Sequence, residues 1–335
     1  MIDQLIAKAY TNTVKNINLR GKYMSQNLSQ HSGLKKYYHL MRPHTLTASF
    51  VPVLLGTASS KIFLTGAEAS IKISVVLAML LASILIQAAT NMFNEYFDYK
   101  RGLDDHTSVG IGGAIVRNGM SPKSVYNLAI AFYVIAVILG IYICIQSTWL
   151  LIPIGLVCMA IGYFYTGGPI PISWTPFGEI FAGFFMGFVI VMISFYIQTG
   201  TLSFYPALLS IPISITIGLI NLANNIRDRE KDKQSGRKTY AILVGKRLSI
   251  MTMAILYIFA YVFVIYLVLF KPYGSLLWLL VLISAPFPIK AVRRFNKNDT
   301  PQTMMPAMAA TGKANTIFGL LLALGVYISG LLGGL

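Results

Sequence analysis

Seven of the eleven acidic residues of this 335-residue chain fall in two short clusters, each closing a long apolar segment. The first reads Asn94-Glu95-Tyr96-Phe97-Asp98-Tyr99-Lys100-Arg101-Gly102-Leu103-Asp104-Asp105, the second Asn224-Asn225-Ile226-Arg227-Asp228-Arg229-Glu230-Lys231-Asp232. Carboxylates and carboxamides are hard oxygen donors of the kind Mg²⁺ prefers, and Mg²⁺ usually takes one or two carboxylates per ion together with substrate phosphate oxygens. The ligand candidates are Asn94, Asp98, Asp104, Asn224, Asp228 and Asp232. Interleaved Lys and Arg are suited to the remaining charge of a diphosphate, and Lys100, Arg101, Arg117, Arg227 and Lys238 are the candidates for that contact. Charges also gather wherever helices leave a membrane, so either cluster alone is ambiguous. Two clusters sharing Asn-x-x-x-Asp, each preceded by polar residues at membrane depth, favour a site.

The elements that position these groups are transmembrane helices. The chain is 56% hydrophobic and 11% charged, with mean hydropathy +0.66, and it contains repeated apolar runs of about 20 residues, the length that spans a bilayer as helix. Nine spans are expected, near 45–63, 71–95, 125–146, 149–166, 177–198, 203–225, 249–270, 275–292 and 314–333, forming an all-α polytopic membrane domain over 41–335. Residues 1–40 form a polar, basic segment without the apolar core of a signal peptide. Of the 27 Lys and Arg, 24 fall on one side when the loops are taken alternately. The positive-inside rule then puts the N-terminus and both clusters in the cytoplasm of a plasma-membrane protein and the C-terminus outside. The net charge of +16 is thereby assigned to membrane topology, with anionic lipid head groups as its partners, and not to nucleic acid.

Within span two, Gln87, Asn91, Asn94 and Asp98 recur at intervals of four, three and four, one face of a helix. In span six, Asn221, Asn224 or Asn225, Asp228 and Asp232 do the same. Asn94 and Asp98 match Asn224 and Asp228 across 130 residues, which suggests a parallel internal repeat facing a cavity. Asp104 lies about 240° round the helix from Asp98, so both can serve one site only if the helix ends between them, and Gly102 is placed to end it. A glycine-rich loop (Gly110, Gly112, Gly113, Gly119, with Arg117) follows the first cluster and Ser235-Gly236-Arg237-Lys238-Thr239 the second, each a binding loop or an ordinary linker.

Three further features carry polar chemistry. Tyr163-Phe164-Tyr165-Thr166-Gly167-Gly168-Pro169 reads as a turn with interfacial tyrosines, or as a place where Tyr163 or Tyr165 flanks a cationic centre. Glu179 starts a span, where a carboxylate is favourable without any further role. Arg42-Pro43-His44-Thr45 opens span one, as an anchor or as a contact to an anionic substrate. Cys144 and Cys158 read as free core thiols, and the four histidines form no ligand pattern.

Together these motifs resemble the UbiA superfamily of intramembrane prenyltransferases. The residues that carry the resemblance are Asn94-x3-Asp98-x5-Asp104 and Asn-Asn-x-Arg-Asp228-x3-Asp232, with Glu95 standing where the family more usually has Asp. Tyr165-Thr166-Gly167-Gly168-Pro169, Arg42-Pro43…Thr45-Leu46 and Gly236-Arg237-Lys238-Thr239 make the chain similar to the 1,4-dihydroxy-2-naphthoate polyprenyltransferases of menaquinone synthesis. That resemblance implies nine helices round a central cavity, a polyprenyl diphosphate donor, 1,4-dihydroxy-2-naphthoate as acceptor with loss of its carboxyl group, and two Mg²⁺ ions bridging the diphosphate. Asp98, Asp228 and Tyr165 would then be catalytic, and Arg42, Tyr163 and Glu179 would face the acceptor. The rivals are a prenyltransferase with another acceptor, such as a glycerol phosphate or a haem, and a secondary transporter with an intramembrane ion site.

Overall fold

A computed structural model describes residues 33–64, 70–104, 113–270 and 274–333. Residues 1–32 of the basic N-terminal segment, and Gly110 and Gly112 of the glycine-rich loop, lie outside the described residues. Among those described, a short helix α1 (Leu34–Leu40) is followed by α2 (Thr47–Ser60), α3 (Ile73–Lys100), α4 (Pro122–Gln146), α5 (Leu151–Phe164) and α6 (Gly178–Thr199). Then come α7 (Phe204–Gln234), a short α8 (Tyr240–Val244), α9 (Lys246–Phe270), α10 (Leu276–Lys297) and α11 (Pro301–Leu331).

Every expected span is helical, but seven of the nine are long and apolar enough to cross a membrane by themselves. The exceptions, α2 and α5, have 14 residues each, about 21 Å of helix against a hydrocarbon core of about 30 Å. The count of nine is therefore close but not exact; the chain is a multi-pass membrane protein. Helix limits also differ from expectation at one end of the bundle: α3 runs to Lys100, α7 to Gln234, and α11 begins at Pro301. Hydropathy reports contact with lipid, whereas Glu, Lys, Arg and Gln continue a helix readily outside it. At Pro301 the start is set by a capping box between Thr300 and Thr303 and by Pro at the first turn, where its missing N–H costs nothing.

The bundle has two halves. In the first, α3 packs along α4, with α1 and the segment Ala114–Met120 closing one end. In the second, α7, α9, α10 and α11 surround a core that includes Leu209, Ile213, Val264, Trp278 and Phe318. Helix α2 joins the halves, packing against α3 of the first and α11 of the second, with α6 alongside it. The α2–α11 seam is tight: Gly319 lets α11 approach Val51, and buried Asn315 donates to Thr47 and accepts from Thr216. Helix α5 contributes one buried residue, Leu151. Helix α6 carries a π-helical stretch, Gly183–Val189, whose Gly183 and Gly187 sit against Ser214 of α7. Such stretches frequently border functional sites. Large apolar side chains remain exposed along α4, α5 and α9, as expected of surfaces that face lipid.

Candidate functional site

The two acidic helices stop by one device. At the end of α3, Gly102 adopts φ 69°, its N–H donates to Tyr99 O, and the Leu103 N–H donates back to Asp98 O at 2.9 Å. At the end of α7, Gly236 has φ 80°, its N–H donates to Lys233 O, and the Arg237 N–H donates to Asp232 O at 3.1 Å. Both are Schellman motifs, in which a left-handed glycine turns the chain back over the last carbonyls. Asp98 and Asp232 thus occupy the same place on their helices, and the expected match of Asp98 with Asp228 is displaced by one turn. Gly102 ends α3 between Asp98 and Asp104, as the helical spacing requires.

The two ends converge. Asp98, Asp104, Asp228 and Asp232 line one polar cavity of about 150 Å³ with Asn94, Asn224, Arg42, Arg117, Arg227 and Tyr165. Arg237, on the same wall, ties the clusters together: its Nη2 meets Asp98 Oδ1 at 2.8 Å and its Nη1 meets Asp232 Oδ1 at 3.2 Å. Its guanidinium stacks over Trp174 at 5.7 Å. Arg227 donates Nε–H to Asp228 Oδ1 at 2.7 Å, and Lys231 Nζ stands 3.9 Å from Asp104 Oδ1. His44 also lines this cavity. Burial, then the charges of Arg42 and Arg227, push it down to about 4, so it is a neutral imidazole at neutral pH.

A second, apolar cavity of about 540 Å³ adjoins the first, running between α3, α4, α5, α6 and α7 past Met79, Ile143, Leu156 and Ile190. Arg42, Thr45, Asn94, Tyr165, Asn221 and Asn224 line both cavities and so form the neck between them. Arg42 is the one Lys or Arg among the described residues of the apolar cavity wall. The Tyr165 hydroxyl is hydrogen-bonded to Asn221 and donates to Gly178 O at 3.4 Å. Asn225 donates Nδ2–H to Glu179 Oε1 at 2.8 Å, which places Glu179 behind the cavity wall, holding Asn225.

Other candidates stand elsewhere. Tyr163 packs edge-on against Phe93 and Phe97, at 5.1 and 5.6 Å between centroids, and does not line either cavity. Arg101 donates to the Thr166 and Gly168 carbonyls at 2.6 and 2.9 Å and lies over the Phe97 and Trp174 rings; it fastens the loop after α5 to the end of α3. Lys100 and Lys238 are exposed outside the cavity lining, and Lys238 enters the site's frame only through its backbone N–H, 2.8 Å from Trp174 O. Residues that line the site but are not among the ligands and substrate contacts expected from the sequence include Arg237, Asn221, Asn225 and Ser173. Asn221 and Asn225 are visible in it as members of the polar stripe. Arg237 is the neighbour of Lys238, the expected diphosphate contact, and only the Schellman turn at Gly236 shows that residue 237 reaches back to the acids.

Among the described residues no three His, Cys, Asp or Glu side chains sit close enough together to form a metal cage. The donor set fits Mg²⁺ in another way: two pairs of hard oxygen donors on facing helix ends, with a guanidinium between them. That suits ions that take one or two carboxylates each and complete their shell with phosphate and water. Both helix C-termini add partial negative charge toward the same point. Helices α3 and α7 run unbroken into the site, unlike the interrupted helices of transporter ion sites.

Known proteins share the sequence and fold of this chain. Over 293 residues the chain is 52% identical to a 1,4-dihydroxy-2-naphthoate octaprenyltransferase of Bacillus subtilis (strain 168), covering 87% of this chain and 92% of that one. It is 28% identical to UbiA prenyltransferase domain-containing protein 1 of Xenopus tropicalis, over 88% and 82% of the two chains. Among solved structures, an apo UbiA homolog from Aeropyrum pernix K1 superposes with a TM-score of 0.64 at 14% identity, over 84% of this chain and 98% of that one. A UbiA homolog from Archaeoglobus fulgidus bound to DMAPP and Mg²⁺ superposes with a TM-score of 0.56 at 15% identity, over 86% and 99%. The family model described as UbiA prenyltransferase family matches residues 49–317, and the chain belongs to that family.

Proposed function

We propose that this protein transfers a polyprenyl group from polyprenyl diphosphate to 1,4-dihydroxy-2-naphthoate, with loss of the carboxyl group as carbon dioxide and release of diphosphate, to give demethylmenaquinol, the reduced form of demethylmenaquinone. The observation that carries the reading is the neck: carboxylates of two helices far apart in sequence face one polar cavity, and that cavity adjoins an apolar one and shares six wall residues with it. A diphosphate and a prenyl chain need those two environments joined end to end. The 52% identity to the Bacillus subtilis octaprenyltransferase supports the choice of naphthoate.

In this reading Asn94, Asp98 and Asp104 on one side, and Asn224, Asp228 and Asp232 on the other, would hold two Mg²⁺ ions. When bound, Mg²⁺ supplies positive charge that stabilises the departing diphosphate. Arg117, Arg227 and Arg237 neutralise the remaining diphosphate charge. Tyr165, fixed by Asn221, presents its ring at the neck, where the allylic carbon becomes electron-poor and a π face is attractive to it. Arg42 faces the acceptor carboxylate. The apolar wall excludes water that would quench the carbocation, and it shelters the prenyl chain at about 0.8 kcal/mol per CH₂. Residues 41–335 form the transferase domain, residues 1–40 a cytoplasmic segment, with the site at the cytoplasmic face of the plasma membrane and the C-terminus outside.

The test is incubation of purified protein with Mg²⁺, 1,4-dihydroxy-2-naphthoate and prenyl diphosphates of several lengths, with products weighed by mass spectrometry. A prenylated, decarboxylated naphthoquinol is expected. Release of diphosphate with no naphthoate product, or transfer only to a different acceptor, overturns the assignment.

A further inference from the structure

Glu95 is the departure within the first acidic motif, and its carboxylate does not face the metal-side cavity. It is 1% exposed and absent from the cavity lining. Its Oε1 accepts the Gly113 N–H at 2.8 Å and the Ile115 N–H at 3.2 Å, and its Oε2 accepts the Gly113 N–H at 2.9 Å and Arg42 Nη2–H at 3.3 Å. A buried carboxylate is tolerated only when paired and hydrogen-bonded in this way. We infer that Glu95 is a positioning residue: one buried carboxylate anchors the two cationic arms of the site, Arg42 at the neck and Arg117 over the polar cavity.

Both arms need an anchor. Arg42 is the one non-glycine among the described residues with positive φ, at φ 53°. A side chain in that region carries strain that the surroundings must over-determine. Asn91, one turn before Glu95 on α3, donates to Met41 O at 2.8 Å and to Thr45 Oγ1 at 2.9 Å, so α3 grips this corner by backbone and side chain together. The second arm starts at Gly113, whose φ of 105° disfavours any side chain and where a Cβ would displace the Arg117 guanidinium. The Arg117 N–H donates back to Gly113 O at 2.8 Å. Fixing the Gly113 amide therefore fixes the turn from which Arg117 reaches the cavity. Glu95 lies three residues before Asp98 on α3, so the helix that presents the metal-side carboxylate also sets the cations opposite it. The proposal rests on the prenyltransferase reading for what the arms bind, but not for the anchoring itself.

Glu95→Gln is the informative variant. Its single carbonyl oxygen can still accept from Gly113 or Ile115, but its NH₂ group meets Arg42 donor to donor. The expected result is a rise of about tenfold in KM for farnesyl diphosphate and for 1,4-dihydroxy-2-naphthoate, the scale seen when an orienting partner is lost, with kcat within about twofold. In an Arg42→Ala background, Glu95→Gln should raise the donor KM further and leave the acceptor KM unchanged, because the two residues then share one pathway. Hydrogen exchange of the Gly113–Ile115 amides, which requires no turnover, should accelerate about tenfold. Unchanged exchange there, or a fall in kcat with both KM values intact, overturns the proposal. Accelerated exchange in a protein that makes no prenylated naphthoate would leave the anchor standing and remove only the enzyme assignment.

Discussion

The end of α3 and the end of α7 share a stop signal and differ in the residues beyond it. Both place an aspartate three positions before the cap, both turn at a left-handed glycine, and both return the next N–H to that aspartate's carbonyl. Beyond the glycine the chains part: α3 continues to an acid, Asp104, whereas α7 continues to a base, Arg237. Arg237 then crosses to Asp98, the counterpart of Asp232, to which it is also paired. The two ends are thus complementary and not copies. One delivers carboxylates on both sides of its stop; the other delivers carboxylates before the stop and the neutralising cation after it. The matching Asn-x-x-x-Asp strings sit 130 residues apart, but the helix ends align 134 residues apart, with Asn94 opposite Asp228.

The largest effects should come from the acids. Asp98→Ala and Asp232→Ala are each expected to lower kcat/KM by about 10²–10³, the range for removing one element of a charge-stabilising clamp. The two losses should be similar because the carboxylates occupy equivalent positions. Asp228→Ala should lower kcat/KM at least as far, since it removes the partner of Arg227 as well. Steady-state rates on protein that still inserts and folds decide the matter, and near-normal turnover in Asp232→Ala would break the equivalence.

A smaller effect separates two adjacent residues. Arg237→Ala should raise KM for the prenyl diphosphate about 10–100-fold, the equivalent of losing one hydrogen bond to a charged group. It should also tighten Mg²⁺ binding to the substrate-free protein, because Asp98 and Asp232 lose the cation between them. Lys238→Ala, one residue on and exposed outside the cavity, should stay within about twofold, as surface substitutions usually do. Donor titrations and Mg²⁺ titrations read by tryptophan fluorescence test both. Equal losses at the two positions would mean that the turn at Gly236 does not select which base serves the site.

This adjacency shows what the sequence can and cannot tell. The nine helical segments are legible because apolar runs of that length have few alternatives, and the break at Gly102 is legible because Asp98 and Asp104 could not otherwise meet. Preferring Lys238 to Arg237 fails because linear spacing in a short polar loop says nothing about which side chain turns inward; that is decided by the left-handed φ at Gly236. Tyr163 and Tyr165 are indistinguishable for the same reason. They are two residues apart where α5 ends, and only the packing of Tyr163 on Phe93 and Phe97 separates them. Glu95 looks like a variant metal ligand in a string of acids. Its role depends on backbone amides 18 and 20 residues away, a contact no local pattern encodes.

The two glycines give the smallest and sharpest test of the comparison. A Cβ at Gly102 or at Gly236 would meet nothing within 4 Å, so alanine at either position introduces no clash and isolates the cost of a left-handed backbone, about 1–2 kcal/mol. Thermal unfolding in detergent should therefore show nearly equal destabilisation for Gly102→Ala and Gly236→Ala. Activity should separate them. Relaxing the turn at Gly236 moves Arg237, which spans both clusters, and should raise the donor KM. Relaxing the turn at Gly102 moves Asp104 relative to Asp98 and should instead raise the Mg²⁺ concentration needed for half-maximal rate. If both variants shift the same parameter, the acid after one stop and the base after the other are interchangeable in their work, and the asymmetry of the two helix ends has no functional content.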